Sequence, residues 1–265
     1  MTEETRSVPQ DVREHPLSAS RVKKFAQCPL SWWYNYVKEE TRTKPGEGYL
    51  GLGNAVHDSI EAELKEQGGT PNSSTLAHRL KRRYREEDPD IPEWMYDKGL
   101  KCCDNAAKFF AEYDDLNIRE IEAEHRYAVK GSVNAMFNAK MDVTTDRFII
   151  DWKTGNAHDS DGNIRDYRIR DELIQGMVYA GAYLDRYGEY PDKVIFVYLG
   201  DGTVRRSDPS QDRWEEMKQY ARSLLQAMDA ENFPAKTGGH CGFCDYQFVC
   251  PAQDHSMADV SYWKY

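Results

Sequence analysis

"KMDVTTDRFIIDWKTG" (residues 140–155) decides how this sequence folds. In an extended chain, residues two apart share a face, so Asp151 and Lys153 point together while Trp152 points away. The run "FII" reads as a short buried strand, and it ends on an acid and a lysine followed by Thr154-Gly155. A plain salt bridge there would stabilise little, because desolvation takes back much of the Coulombic gain. Asp142 lies nine residues before Asp151, at the end of the preceding strand. A turn around Thr144–Arg147 brings the two together. Two carboxylates meeting beside a lysine suit a hard cation such as Mg²⁺ or Mn²⁺. Spacing alone leaves a second reading open, in which these are three ordinary polar residues at strand ends.

Outward from this stretch, residues 120–129 alternate through Ile121, Ala123, His125, Tyr127 and Val129. Residues 133–142 alternate again through Val133, Ala135, Phe137, Ala139 and Met141. With 147–153 these make three consecutive strands. A helix follows at about 168–187, then a strand at 193–200, a fifth strand in "GTVRRS" (202–207) and a late helix at 210–231. Upstream, 17–37 reads as helix capped by Ser18 and interrupted by Pro29. A glycine-rich turn then leads into a helix with a Val56–Ile60–Leu64 stripe, ended by Gly68-Gly69. Helical periodicity recurs at 73–87 and 94–115. Three strands, a crossover helix and a further strand imply an α/β fold with a mixed central sheet flanked by helices. The expected organisation is a flexible arm (1–16), one domain (17–255) with a helical insertion at about 70–118, and a tail (256–265).

The chain has 265 residues, 30% of them charged, and a formal net charge of -10. That balance argues against indiscriminate coating of nucleic acid but leaves local basic patches open, such as "KRRYR" (81–85) and "RDYRIRD" (165–171). No run approaches the ~20 apolar residues of a membrane span. The polar N-terminus lacks the apolar core of a signal peptide, so a cytoplasmic location is expected. There, cysteines serve as ligands more often than as disulfides. Three of the six fall in "HCGFCDYQFVCP" (240–251). Cys102 and Cys103 read as small core residues.

"MD" followed by "DWKTG" resembles the D…(D/E)XK core of the PD-(D/E)XK nuclease superfamily, and more narrowly its RecB-like branch. "GNAVHDSIE" is similar to that branch's upstream helix, with His57 at the metal-binding histidine. "QGMVYAGAY" resembles its Q-x-x-x-Y motif, at Gln175 and Tyr179. "SRVKKFAQCPLSWWYNYV" resembles its N-terminal cysteine segment. The resemblance runs from about residue 18 to 251; the family's glycine before the first aspartate is Ala139 here, and 70–118 shows no family motif.

The resemblance implies a restriction-endonuclease-like fold and a metal-dependent DNase acting on single-stranded or free-ended DNA. His57, Asp142, Asp151 and the Trp152 carbonyl would hold Mg²⁺ or Mn²⁺, Lys153 would orient or activate water, and Gln175 and Tyr179 would support it. It also implies a 4Fe–4S cluster on Cys28, Cys241, Cys244 and Cys250, joining the two ends of the domain. Zinc, with His240 as an added ligand, is the competing metal. The chain is similar to CRISPR-adaptation nucleases and related phage exonucleases, which implies DNA and the proteins of such complexes as partners. The alternative is a non-catalytic DNA- or partner-binding module on the same fold, which would be expected to have lost an aspartate or the lysine. Trp32, Trp33 and Tyr34 are open to base stacking or to packing. Glu124, on the polar face of the first strand, is open to the site or to the surface.

Overall fold

The computed structural model describes residues 6–38, 47–67, 70–87 and 92–253. The three expected strands form as β2 (Ile118–Val129), β3 (Ala135–Thr145) and β4 (Phe148–Lys153). The β2–β3 turn uses Gly131 and Asn134, both at positive φ (92° and 48°), and the Asn134 amide oxygen accepts from the Gly131 N–H at 2.9 Å. Between β3 and β4, the Thr145 hydroxyl accepts from the N–H groups of Arg147 (3.1 Å) and Phe148 (2.7 Å). That is the turn needed to set Asp142 beside Asp151.

From β4 the chain crosses over through α7 (Asp166–Tyr187) to β5 (Lys193–Tyr198), which pairs parallel to β4. It then turns back antiparallel into β6 (Thr203–Ser207). A two-residue strand, β1 (Leu17–Ser18), was not legible in the sequence and pairs parallel to β3 at Phe137 and Asn138. The sheet runs β1-β3-β4-β5-β6, with β2 along the opposite edge of β3. This is the expected mixed sheet.

Helices cover both faces. On one face α2 (Ala19–Gln27), α3 (Pro29–Tyr36), α7 and α8 (Gln211–Asp229) enclose a core that includes Trp32, Phe137, Tyr183 and Phe196. On the other, α4 (Glu47–Gln67), α5 (Ser73–Glu87) and α6 (Glu93–Glu112) bury Val56, Ile60, Cys102, Cys103 and Phe110 against Ile150 and Trp152. The region expected as an insertion thus supplies two of the three helices of one layer. Ser18 and Ser210 cap α2 and α8 by accepting from the N–H three residues on.

Within the expected arm, α1 (Gln10–Glu14) packs back on the end of α8, Val8 is buried, and Arg13 pairs with Asp229 (3.2 Å) and Glu231 (3.1 Å). One expectation needs correction. The glycine-rich turn before His57 is already helix, since tertiary contacts outweigh the roughly 1 kcal/mol cost of each helical glycine. Pro29 interrupts the helical run as expected, separating α2 from α3 and starting α3 where its missing N–H costs nothing. Gly68-Gly69 and the tail at 256–265 lie outside the described residues. No helix of the described residues is long and apolar enough to cross a membrane.

Candidate active site

Along one edge, β3 pairs with β1 at residues 137–138 and with β4 at 143–144. Between those contacts β4 peels away and the sheet forks. The Trp152 N–H is satisfied by a carboxylate oxygen of Asp142 at 2.8 Å, so the side chain of β3 reaches where its backbone no longer does. The Trp152 indole turns to the other side and packs against Phe109 and Phe110.

The antiparallel register sets Glu122 of β2 opposite Asp142, between the pairs Ile121–Val143 and Ala123–Met141. Glu122 has φ of 55°, the left-handed region that non-glycine residues seldom enter. This break switches faces. Ala123 and Met141 pack into the α7 core, whereas Ile121 and Val143 pack into the α4–α6 core. Strain of this kind concentrates where a site is built.

Onto the fork α4 directs His57, whose Nδ1 lies 3.4 Å from Asp142 Oδ1. His57, Glu122 and Asp142 each offer a ligand atom within 4.8 Å of the others. Glu122 also pairs with Lys140. Burial alone would lower the His57 pKa; the hydrogen bond and charge of Asp142 outweigh it and raise it. Burial alone would raise that of Asp142; His57, Lys153 and the Trp152 N–H bring it below the usual carboxylate range.

Asp151 is 2% exposed and lies outside that group of three. One oxygen is paired with Lys153; the other accepts from Gln175 Nε2 at 2.7 Å and from the Tyr179 hydroxyl at 3.2 Å. Gln175 and Tyr179 are one turn apart on α7 and bond each other at 2.7 Å. Burial and the charge of Asp151 push the Tyr179 hydroxyl well up, which keeps it a donor. Burial, with the charge of Asp142 against that of Lys153, leaves Asp151 above its ordinary value.

His57, Asp142, Asp151, Trp152, Lys153, Gln175 and Tyr179 therefore meet at one fork. Glu124 does not join them: it is exposed and accepts from Asn138 at 2.9 Å. Two residues passed over in the sequence do. Glu122 could have been found by pairing β2 with β3 in the register that faces Asp142. Lys23, on α2, donates to Gln175 Oε1 at 2.8 Å, and nothing in its own helical pattern marks it.

A second cluster joins the chain ends. Cys28, Cys241, Cys244 and Cys250 line one small cavity, together with Lys236 and His240. Cys28 Sγ accepts from the Lys236 N–H at 3.4 Å, and Cys244 Sγ from the Tyr246 N–H at 3.5 Å. Burial pushes the Cys250 thiol up, and the other three cysteines push it further. Four cysteines lining one cavity, with backbone donors aimed at two of the sulfurs, are a donor set that suits a thiolate-bound metal centre. His240 sits 2.8 Å from the Lys236 carbonyl oxygen through Nε2. Around the cavity Trp32 stacks on Phe233 (5.4 Å) and Tyr34 on Tyr246 (5.5 Å). Trp32, Trp33 and Tyr34 are buried, which favours packing over base stacking.

A family model described as the PD-(D/E)XK nuclease superfamily matches residues 16–251. Among solved structures, a "putative exonuclease" from Eubacterium rectale aligns over 100% of this chain and 98% of its own, with TM-score 0.59 at 15% identity. A structure described as SSO0001 aligns over 96% of this chain and 90% of its own, with TM-score 0.44 at 13% identity. At 15% identity the likeness to the Eubacterium rectale structure is one of fold.

Proposed function

We propose that this chain, which belongs to the PD-(D/E)XK nuclease superfamily, is a divalent-cation-dependent DNA exonuclease of the RecB-like branch, stapled by a 4Fe–4S cluster. One observation carries the reading: Asp142, Asp151 and Lys153 converge at the β3–β4 fork with His57 and Glu122 beside them. A module that had lost its chemistry would have no need to hold these charges together.

The donor set of imidazole and carboxylates suits Mg²⁺ or Mn²⁺ held by His57, Asp142 and Asp151 with the Trp152 carbonyl, and Glu122 joins that set. A cation bound there supplies an activated water and neutralises charge building on the phosphate. The protein's part is positioning. Asp142 fixes the β4 backbone through the Trp152 N–H, and His57 stands with Nδ1 3.4 Å from Asp142 Oδ1. Gln175 and Tyr179 pin one oxygen of Asp151 and leave the other to Lys153. Lys153 is part-exposed at the strand end, where its ammonium can hold a water or a phosphate oxygen in line.

The four cysteines would bind the cluster with every iron site taken by protein sulfur, so that it orders the chain ends and leaves hydrolysis to the fork. The substrate is single-stranded or free-ended DNA; the description of the Eubacterium rectale protein favours exonuclease action. Partners would be the proteins of a DNA-processing or CRISPR-adaptation complex. The test is cleavage of end-labelled single-stranded DNA with Mn²⁺, with Mg²⁺ and with EDTA. Release of nucleotides only with the cations is expected, and an inert protein under all three conditions overturns the reading.

A further inference from the structure

Among the described residues, Lys23 forms no ion pair. It is only partly exposed, on the side of α2 that faces α7. Its one hydrogen bond is to a neutral acceptor, Gln175 Oε1, at 2.8 Å; among the described residues no carboxylate comes within ion-pair distance. Gln175 cannot turn to suit it. Both functions of that amide are fixed, the nitrogen on Asp151 and Tyr179 and the oxygen on Lys23. Two of the three ammonium hydrogens are left for something else.

The surroundings say what that is. Lys153 and Arg168 are both near enough to act on Lys23 electrostatically, and with burial they outweigh Asp171 and Asp151, holding its pKa at about 8. Arg168 lies over the rings of Tyr167 and Tyr198, with its Nε buried and unbonded. The fork is therefore polarised. Glu122 and Asp142 make an acidic wall from β2 and β3, while Lys23, Lys153 and Arg168 make a basic wall from α2, β4 and α7. A buried cation lacking an anion is costly, and an anionic ligand removes the cost.

We propose that Lys23 binds the DNA backbone, taking the phosphate next to the scissile one. It stands one amide away from Asp151, so the scissile phosphate itself falls to Lys153. Lys23 thereby sets the path of the strand across α2. This rests on the nuclease reading above.

The experiment compares wild type, Lys23→Met and Lys23→Arg on a short single-stranded oligonucleotide. Binding is followed by fluorescence anisotropy in EDTA at several salt concentrations, and cleavage is followed in Mn²⁺. Losing one charged contact should weaken binding of Lys23→Met roughly ten-fold. It should also make the salt dependence shallower by about 0.7 in log–log slope, and Lys23→Arg should restore both. A neutral methylphosphonate beside the cleaved bond should weaken wild type by a similar factor and leave Lys23→Met unaffected. An unchanged salt slope, or an equal methylphosphonate penalty in both proteins, overturns the proposal and leaves Lys23 as a prop for Gln175. Lys23→Gln carries the same comparison if Lys23→Met does not fold. Wild type that cuts nothing in Mn²⁺ defeats the nuclease reading, while the binding arm still decides Lys23.

Discussion

At the scale of single residues, the proposed mechanism separates holding a cation from aligning the attack. Asp151 is buried between Lys153, Gln175 and Tyr179, so truncating it strands two buried donors beside a part-exposed ammonium. Asp151→Ala should therefore lose about 1–3 kcal/mol of stability as well as activity. Asp151→Asn keeps an acceptor for Gln175 and is the cleaner variant. It and Lys153→Ala are each expected to lower cleavage by roughly 10²–10⁴-fold while melting close to wild type. Full activity in either removes it from the chemistry. Glu122 gives a different signature, because it stands with His57 and Asp142 rather than with Lys153. Glu122→Gln should raise the Mn²⁺ needed for half-maximal cleavage by roughly ten- to a hundred-fold, the range found even for groups that merely support a ligand. Saturating Mn²⁺ should return the rate towards wild type; an unshifted titration would leave Glu122 as the partner of Lys140 alone.

At the scale of elements, what was legible follows from periodicity. β2, β3, β4, β5 and α7 could be read because alternation and the 3.6-residue repeat survive wherever one face is buried. The D-x-K placement needed only the two-residue period of a strand. The remainder depended on partners distant in sequence. β1 has two residues and exists because β3 offers an edge. Glu122 looks like any outward glutamate until its backbone turns to φ 55° opposite Asp142. Lys23 meets Gln175 across a separation of 152 residues, so no local pattern could reveal it. The seating of α7 was hidden in the same way, inside a motif read for its glutamine and tyrosine. A Cβ at Gly181 would fall 2.8 Å from the Trp214 ring of α8 and 2.7 Å from the Tyr127 hydroxyl of β2. Gly181 is thus what lets α7 lie close enough for Gln175 and Tyr179 to reach Asp151. Gly181→Val should cost about 1–3 kcal/mol by overpacking. Its cleavage should fall more than the loss of folded protein explains, as a melt and an assay on the same sample would show. Unaltered activity at a lowered melting temperature would mean that α7 can shift without moving the pair.

At the scale of the molecule, two clusters share one helix. α2 carries Lys23 in its middle and ends at Cys28, which lines the cavity with three cysteines from the far end of the chain. The chain between Cys28 and Cys241 exceeds two hundred residues, so a metal link there closes a loop worth about 5 kcal/mol on a chain-entropy estimate. Stacking of Trp32 on Phe233 and of Tyr34 on Tyr246 holds the same ends without any metal. With the proposed 4Fe–4S cluster bound there, Cys28→Ala should lose its brown colour and several degrees of melting temperature yet remain folded, whereas Cys102→Ala and Cys103→Ala should stay coloured. The effect on cleavage should be selective. His57, Glu122 and Asp142 stand on α4, β2 and β3, none of which touches the cysteine cavity, whereas loosening α2 frees Lys23. Cys28→Ala should bind a single strand more weakly while keeping the Mn²⁺ midpoint of wild type. In wild type, EDTA should stop cleavage and Mn²⁺ restore it with the iron content unchanged. A shifted Mn²⁺ midpoint in Cys28→Ala would show that the cysteine centre reaches the cation site itself, and cleavage persisting in EDTA would move the chemistry from the fork to the iron.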